Sequence, residues 1–210
     1  MYLARLKQAE EAFLDRYPGG FENPELKAIR TRKHKPDQMI ALARESFSKG
    51  NFRFPELIVQ NMERVILRSS IVSVFEKLRF RDFVNELPPQ NRDLLAGGLE
   101  KLLHGSEQAG FESILDLLKG WKLAKWPLMT VCQTYFHPQR DVFVKPTTVK
   151  GIIRYFELEN LHYHPTPSWA FYQTYRSAFH EMKSKVDPSL APTNPAFSGF
   201  LLMSINRSFF

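Results

Sequence analysis

Apolar residues recur at steps of three and four along most of the 210-residue chain, and proline and glycine interrupt the pattern at intervals. That period belongs to the α-helix. Residues 2–16 set Leu3, Leu6, Phe13 and Leu14 on one face, and Pro18-Gly19-Gly20 stops the run. Asn23-Pro24-Glu25 joins a capping side chain, a proline at the first helical position and an acid in the first turn, which together start a helix. A third helix carries Met39, Ile40, Ala43 and Phe47 and ends at Gly50. From Glu56 to Leu87 no glycine or proline occurs, and Ile58, Met62, Val65, Ile66, then Ile71, Phe75 and Leu78 keep helical spacing. One helix of that length would span about 48 Å. The pattern therefore predicts two core helices, broken near Ser69-Ser70, with Ser70 as the second cap. The alternative for Ile71–Phe75, a short β-branched run, is a buried strand.

Pro88-Pro89 is the clearest internal break and divides the expected lobes, 1–87 and 88–210, unless the chain forms one domain. A helix over 90–103, weakened by Gly97-Gly98, precedes one capped by Ser106 that carries Phe111, Ile114, Leu115 and Leu118. Leu128 to Phe136 reads as helix. Residues 141–145 are the most strand-like segment, and Pro146 limits them to a short or edge piece. Thr147 or Thr148 is the expected cap of a helix presenting Val149, Ile152, Ile153 and Phe156. Ser168 caps the cleanest helical pattern, Tyr172, Tyr175, Phe179, Met182 and Val186. Asn194-Pro195 opens a last apolar helix to about Ile205. The expected fold is all-α or nearly so, with about nine or ten helices.

Composition changes this picture little: 43% hydrophobic and 24% charged residues are enough for an ordinary packed core. The single cysteine, Cys132, allows no intramolecular disulfide, and in an apolar helix it reads as a small hydrophobe. The charged first twenty residues do not resemble a signal peptide, and no apolar run is long enough to span a bilayer. The expected compartment is the cytoplasm, with no membrane partner.

Charge changes it more. The formal net charge is +7, with 29 basic and 22 acidic side chains, which favours polyanionic partners. The excess is spread along the chain, with 18 basic against 14 acidic residues in 1–105 and 11 against 8 in 106–210. Phosphate-cradling glycine loops, the H-E-x-x-H zinc helix and the G-x-S-x-G nucleophile turn are all absent. His162 and His164 could share a metal only with a third ligand such as His137, Asp141 or Glu159, and no metal site or cofactor is assigned. The adjacent pair Gly97-Gly98 does not fit a helix-hairpin-helix DNA-binding turn.

The segment 140–154 is the most suggestive. Lys145, Thr147, Thr148 and Lys150 surround an expected helix N-terminus, where free N–H groups attract anions. Lys150 and Arg154 share a stripe, as do Arg176, His180 and Lys183. Lys119, Lys122 and Lys125 interleave with Trp121 and Trp126, a pattern suited to phosphate contact with base stacking. Arg30 to Lys35 is the densest basic run. The leading expectation is a nucleic-acid-associated binding protein, contacting DNA or RNA through Lys122, Lys125, Lys145, Thr147, Thr148, Lys150, Arg154, Arg176 and Lys183. The second is protein interaction or self-association through the apolar segment Phe197 to Phe210. The third is a metal-dependent enzyme acting on nucleic acid.

Overall fold

The computed structural model describes residues 2–29, 31–32 and 35–206. Among these residues there are eleven α-helices and no strand. They are α1 (Tyr2–Arg16), α2 (Pro24–Ile29), α3 (Pro36–Ser46), α4 (Pro55–Arg68), α5 (Val74–Glu86), α6 (Pro89–His104), α7 (Glu107–Gly120), α8 (Trp126–Phe136), α9 (Pro146–Tyr155), α10 (Trp169–Lys183) and α11 (Asn194–Ile205).

Proline is the main helix-starting device. It occupies the first or second position of α3, α4, α6, α8, α9 and α11, and it opens α2. There its fixed φ suits the helix, and the missing N–H would have had no intrahelical partner. Side-chain caps serve α5, α10 and α11. The break after α4 falls where expected, but Ser73 rather than Ser70 is the cap: it forms a reciprocal capping box with Glu76. Ser168 caps α10 by accepting from the Phe171 N–H, and Thr193 caps α11 by accepting from the Ala196 N–H.

Segment 141–145, expected to be strand-like, forms neither helix nor strand. Its residues Asp141 to Val144 are buried. Side chains take the place of a ladder: the Val142 N–H donates to the Tyr172 hydroxyl at 3.2 Å and the Val144 N–H to Thr130 Oγ1 at 3.1 Å. Every buried backbone donor needs a partner, and here α8 and α10 supply them.

One hydrophobic cluster runs from Leu6 to Leu201. Across position 88, α4 packs on α6, α3 on α8 and α1 on α11. Arg92 ties this region together by donating to the carbonyls of Leu87 and Val84 and to Glu56. The closest helix pair is α6 with α7, where Gly98 and Gly110 let the two backbones approach.

Two expectations about the core need correction. Phe75 and Leu78, placed in the core by spacing, are 69% and 43% exposed. The face of α5 that packs inward carries Phe80, Phe83 and Val84 instead. In the C-terminal apolar segment, offered above as an interaction surface, Phe197, Phe200 and Leu201 are instead fully buried, with Phe200 edge-on to Phe13 at 5.3 Å, while Leu202 is exposed. Residues 207–210 lie outside the described residues. No helix among the described residues is long and apolar enough to cross a membrane.

Candidate nucleic-acid interface

The structure sorts the nine expected contact residues into three groups. Arg176 and Lys183, on α10, are tied down. Arg176 bonds both Glu107 at 2.6 Å and Asp141 at 2.9 Å, and its guanidinium lies over the rings of Trp169 and Tyr172. Lys183 donates to Gln139 Oε1 and Asn194 Oδ1, each at 2.8 Å, and partial burial lowers its pKa. Thr148 is buried. Neither Thr148 nor Thr147 caps α9, because the helix starts at Pro146 with Lys145 in the cap position and no side-chain cap bond. Thr147 is exposed.

Lys122 stands apart. It is exposed and takes the left-handed conformation, φ 59°, after the end of α7. Its N–H bonds the Lys119 carbonyl while the Leu123 N–H bonds that of Leu118, closing the helix in a Schellman arrangement. Glycine is the residue that adopts this conformation without steric cost. Lys122→Gly is therefore expected to stabilise the fold by about 1 kcal/mol, read as a rise in the urea midpoint at unchanged slope.

Lys125, Lys145, Lys150 and Arg154 form the third group. All four are exposed, and none has a carboxylate within ion-pair distance among the described residues. A chain of contacts brings their backbones together. Lys125 precedes α8, whose Trp126 indole donates to the His164 carbonyl at 2.8 Å. One turn further, Thr130 Oγ1 donates to the Trp126 carbonyl and accepts from the N–H of Val144, the residue before Lys145. The Lys150 ammonium sits 5.7 Å from the centroid of Tyr163, whose ring meets Phe171, which in turn packs on Trp126. Arg154 continues the Lys150 stripe one turn along α9. These contacts tie the start of α8, the segment before α9 and the loop bearing His162 and His164 to one another.

Of the two rings expected to stack, burial removes Trp126, while Trp121 is half-buried. Trp126 is 1% exposed, and Trp121 packs edge-on against Phe83 at 5.3 Å. The His162–His164 pair gains no third ligand. Among the described residues, no three His, Cys, Asp or Glu side chains gather as a metal site, and His164 Nδ1 accepts from the Thr166 N–H. Of the Arg30–Lys35 run, Arg30, Lys33 and His34 lie outside the described residues. An open depression of about 580 Å³ beside that run is lined by Glu22, Pro24, Lys27, Ala28, Thr31 and Arg32. Cys132 is buried, and burial pushes its thiol up to about 12, so it is no nucleophile at neutral pH.

No family model matches the chain, and no curated protein or solved structure is significantly similar to it.

A buried charge cluster that spacing does not reveal stands at the head of the segment leading to Lys145. Asp141 is wholly inaccessible. Its carboxylate accepts from Arg140 at 2.9 Å, Arg176 at 2.9 Å and the Tyr172 hydroxyl at 3.1 Å. His137 Nδ1 lies 3.3 Å away, close but poorly aligned for a hydrogen bond. Glu107 bridges the two arginines. Burial alone would raise the Asp141 pKa, but His137, Arg140 and Arg176 outweigh it and hold the carboxyl below its ordinary value. The same burial, reinforced by the Asp141 charge, holds the Tyr172 phenol well above its ordinary value. Asn194 completes the cluster by donating to the Asp141 carbonyl. Two carboxylates against two guanidiniums leave no excess to attract a polyanion, and the cluster acts as a clamp joining α7, α10, α11 and the 141–145 segment.

Proposed function

We propose that the protein binds nucleic acid through the edge formed by the starts of α8 and α9. The observation that supports this reading is that four exposed cations, Lys125, Lys145, Lys150 and Arg154, stand on segments joined by these contacts, with no carboxylate within ion-pair distance among the described residues. Cations without carboxylate partners attract phosphates, and release of the condensed counterions drives association. The contact set is thus narrower than the one read from spacing, because Arg176 and Lys183 spend their hydrogen bonds inside the fold.

Fluorescence anisotropy with labelled single-stranded and duplex oligonucleotides tests this. Binding is expected at low ionic strength, and log K should fall with log salt at a slope of about −3, near four phosphate contacts. Glu at any one of the four positions should weaken binding and flatten the slope by about one. Lys183→Ala should leave affinity unchanged. Absence of binding at the lowest salt, or indifference to all four reversals, would refute the proposal.

A further inference from the structure

Val74 and Phe75 are 71% and 69% exposed, the highest values among the large apolar side chains described. They open α5, and the Ser73–Glu76 capping box fixes that first turn. The packing of Phe80, Phe83 and Val84 fixes the rotation of the helix, so Phe75 is held out in solvent. The Arg79 guanidinium lies 5.9 Å from the centroid of its ring. Arg64 and Arg68 end α4, which packs along α5, and Lys77 follows Phe75 by two residues. Arg64, Arg68, Lys77 and Arg79 have no carboxylate within ion-pair distance among the described residues. The acids nearest in sequence are Glu63 beside Arg64, Glu76 in the capping box and Asp82, which pairs with Arg81 at 2.9 Å.

We infer that Phe75 and Arg79 form a stacking platform for a base of single-stranded nucleic acid, with Arg64 and Arg68 meeting the neighbouring phosphates. This rests on the nucleic-acid reading above and names the kind of strand. Only an unpaired, splayed base offers its face to a ring. The surrounding charge suits a polyanion. A second copy of the chain would bring these cations against their own kind, and a lipid bilayer would have to accept the Arg79 charge along with the ring it covers.

The test uses the full chain and labelled homopolymeric single strands. Phe75→Ala should weaken binding by about five- to a hundredfold. Phe75→Leu, which keeps an apolar side chain but no ring, should weaken it similarly, and Phe75→Tyr should retain it. The position is exposed, so these variants keep the fold, which circular dichroism verifies. Duplex affinity should be indifferent to all three.

If no strand binds, both readings fall. If charge reversal at Lys125, Lys145 or Lys150 weakens binding while Phe75→Ala does not, the broader reading stands and this one falls. Retention of affinity by Phe75→Leu would mean apolar contact without stacking and overturn it. So would Phe75-dependent flotation with phosphatidylserine vesicles, or a dimer lost in Phe75→Ala, where strand affinity ignores the ring.

Discussion

Gly110→Ala is expected to destabilise the protein by about 3 kcal/mol, near the upper end of overpacking costs, and to lower its melting temperature by about 6–12 °C. A Cβ at position 110 would collide with the Leu102 amide nitrogen and lie 2.6 Å from the Gly98 carbonyl oxygen and 2.7 Å from the Leu102 Cα. All three are backbone atoms of α6, so no side chain can swing aside and the two helices must part. That loss spreads along the most extensively packed helix pair in the molecule. The opposing term is intrinsic helix propensity, which favours alanine over glycine by about 1 kcal/mol. Sterics win at 110.

At Gly97, also in α6, a Cβ meets nothing within 4 Å, so only the propensity term remains. Gly97→Ala is expected to stabilise by about 1 kcal/mol. The same substitution thus carries opposite signs at two glycines in one helical hairpin. Thermal denaturation followed by circular dichroism reads both. An unchanged midpoint for Gly110→Ala would contradict the close crossing of α6 and α7.

This pair also shows where legibility in the sequence ends. The glycines at 97 and 98 read only as weak points in a helix. Nothing in the spacing tells that Gly98 faces Ile114 and Ser113 of α7 while Gly97 faces open space, because that depends on which helix lies opposite. The helices themselves were legible, since their apolar period and their proline and serine starts are local. The orientation of α5 was not. Its residues Phe75, Leu78, Phe80, Phe83 and Val84 offer apolar positions on more than one side, and the neighbours at Trp121 and α4 decide which side is buried.

The candidate edge was half legible. Lys150 and Arg154 lie four apart on α9, so their shared stripe follows from helical periodicity alone, and Lys145 stands at the cap of the same helix. Lys125 joins them only through the Trp126–His164 and Thr130–Val144 bonds, which link segments far apart in the chain. Arg176 was misread for the same reason. Its partners stand 35 and 69 residues away, and a cation on an amphipathic helix gives no sign that its far side meets a buried carboxylate. The one hint was Asp141 itself, an acid heading the apolar run Val142 to Val144.

Asp141→Asn is expected to cost about 3–5 kcal/mol at neutral pH, the range for removing one partner of a buried ion pair. Arg176, with a side chain only 16% exposed, would keep Glu107 alone. The amide would have to turn its NH2 group toward one guanidinium or the other. The Tyr172 hydroxyl holds both the Asp141 carboxylate and the Val142 N–H, so the disturbance passes directly into the segment that delivers Lys145 to the basic edge. Weaker nucleic-acid binding should therefore accompany the loss of stability, without a change in salt slope, because no phosphate contact is removed.

The pH dependence separates the clamp from simple packing. The folded Asp141 carboxyl titrates below its unfolded value of about 3.9. Its contribution is therefore complete above that value and drains away as pH falls through the lower, folded one. The gap in unfolding free energy between the native protein and Asp141→Asn should stay constant from neutral pH down to about 5. Below about 4 it should close, as the native carboxylate takes up its proton. Urea unfolding of both proteins across that range measures it. A gap that keeps its full size at the acid end would mean that shape, and not the ion pairs with Arg140 and Arg176, makes Asp141 matter.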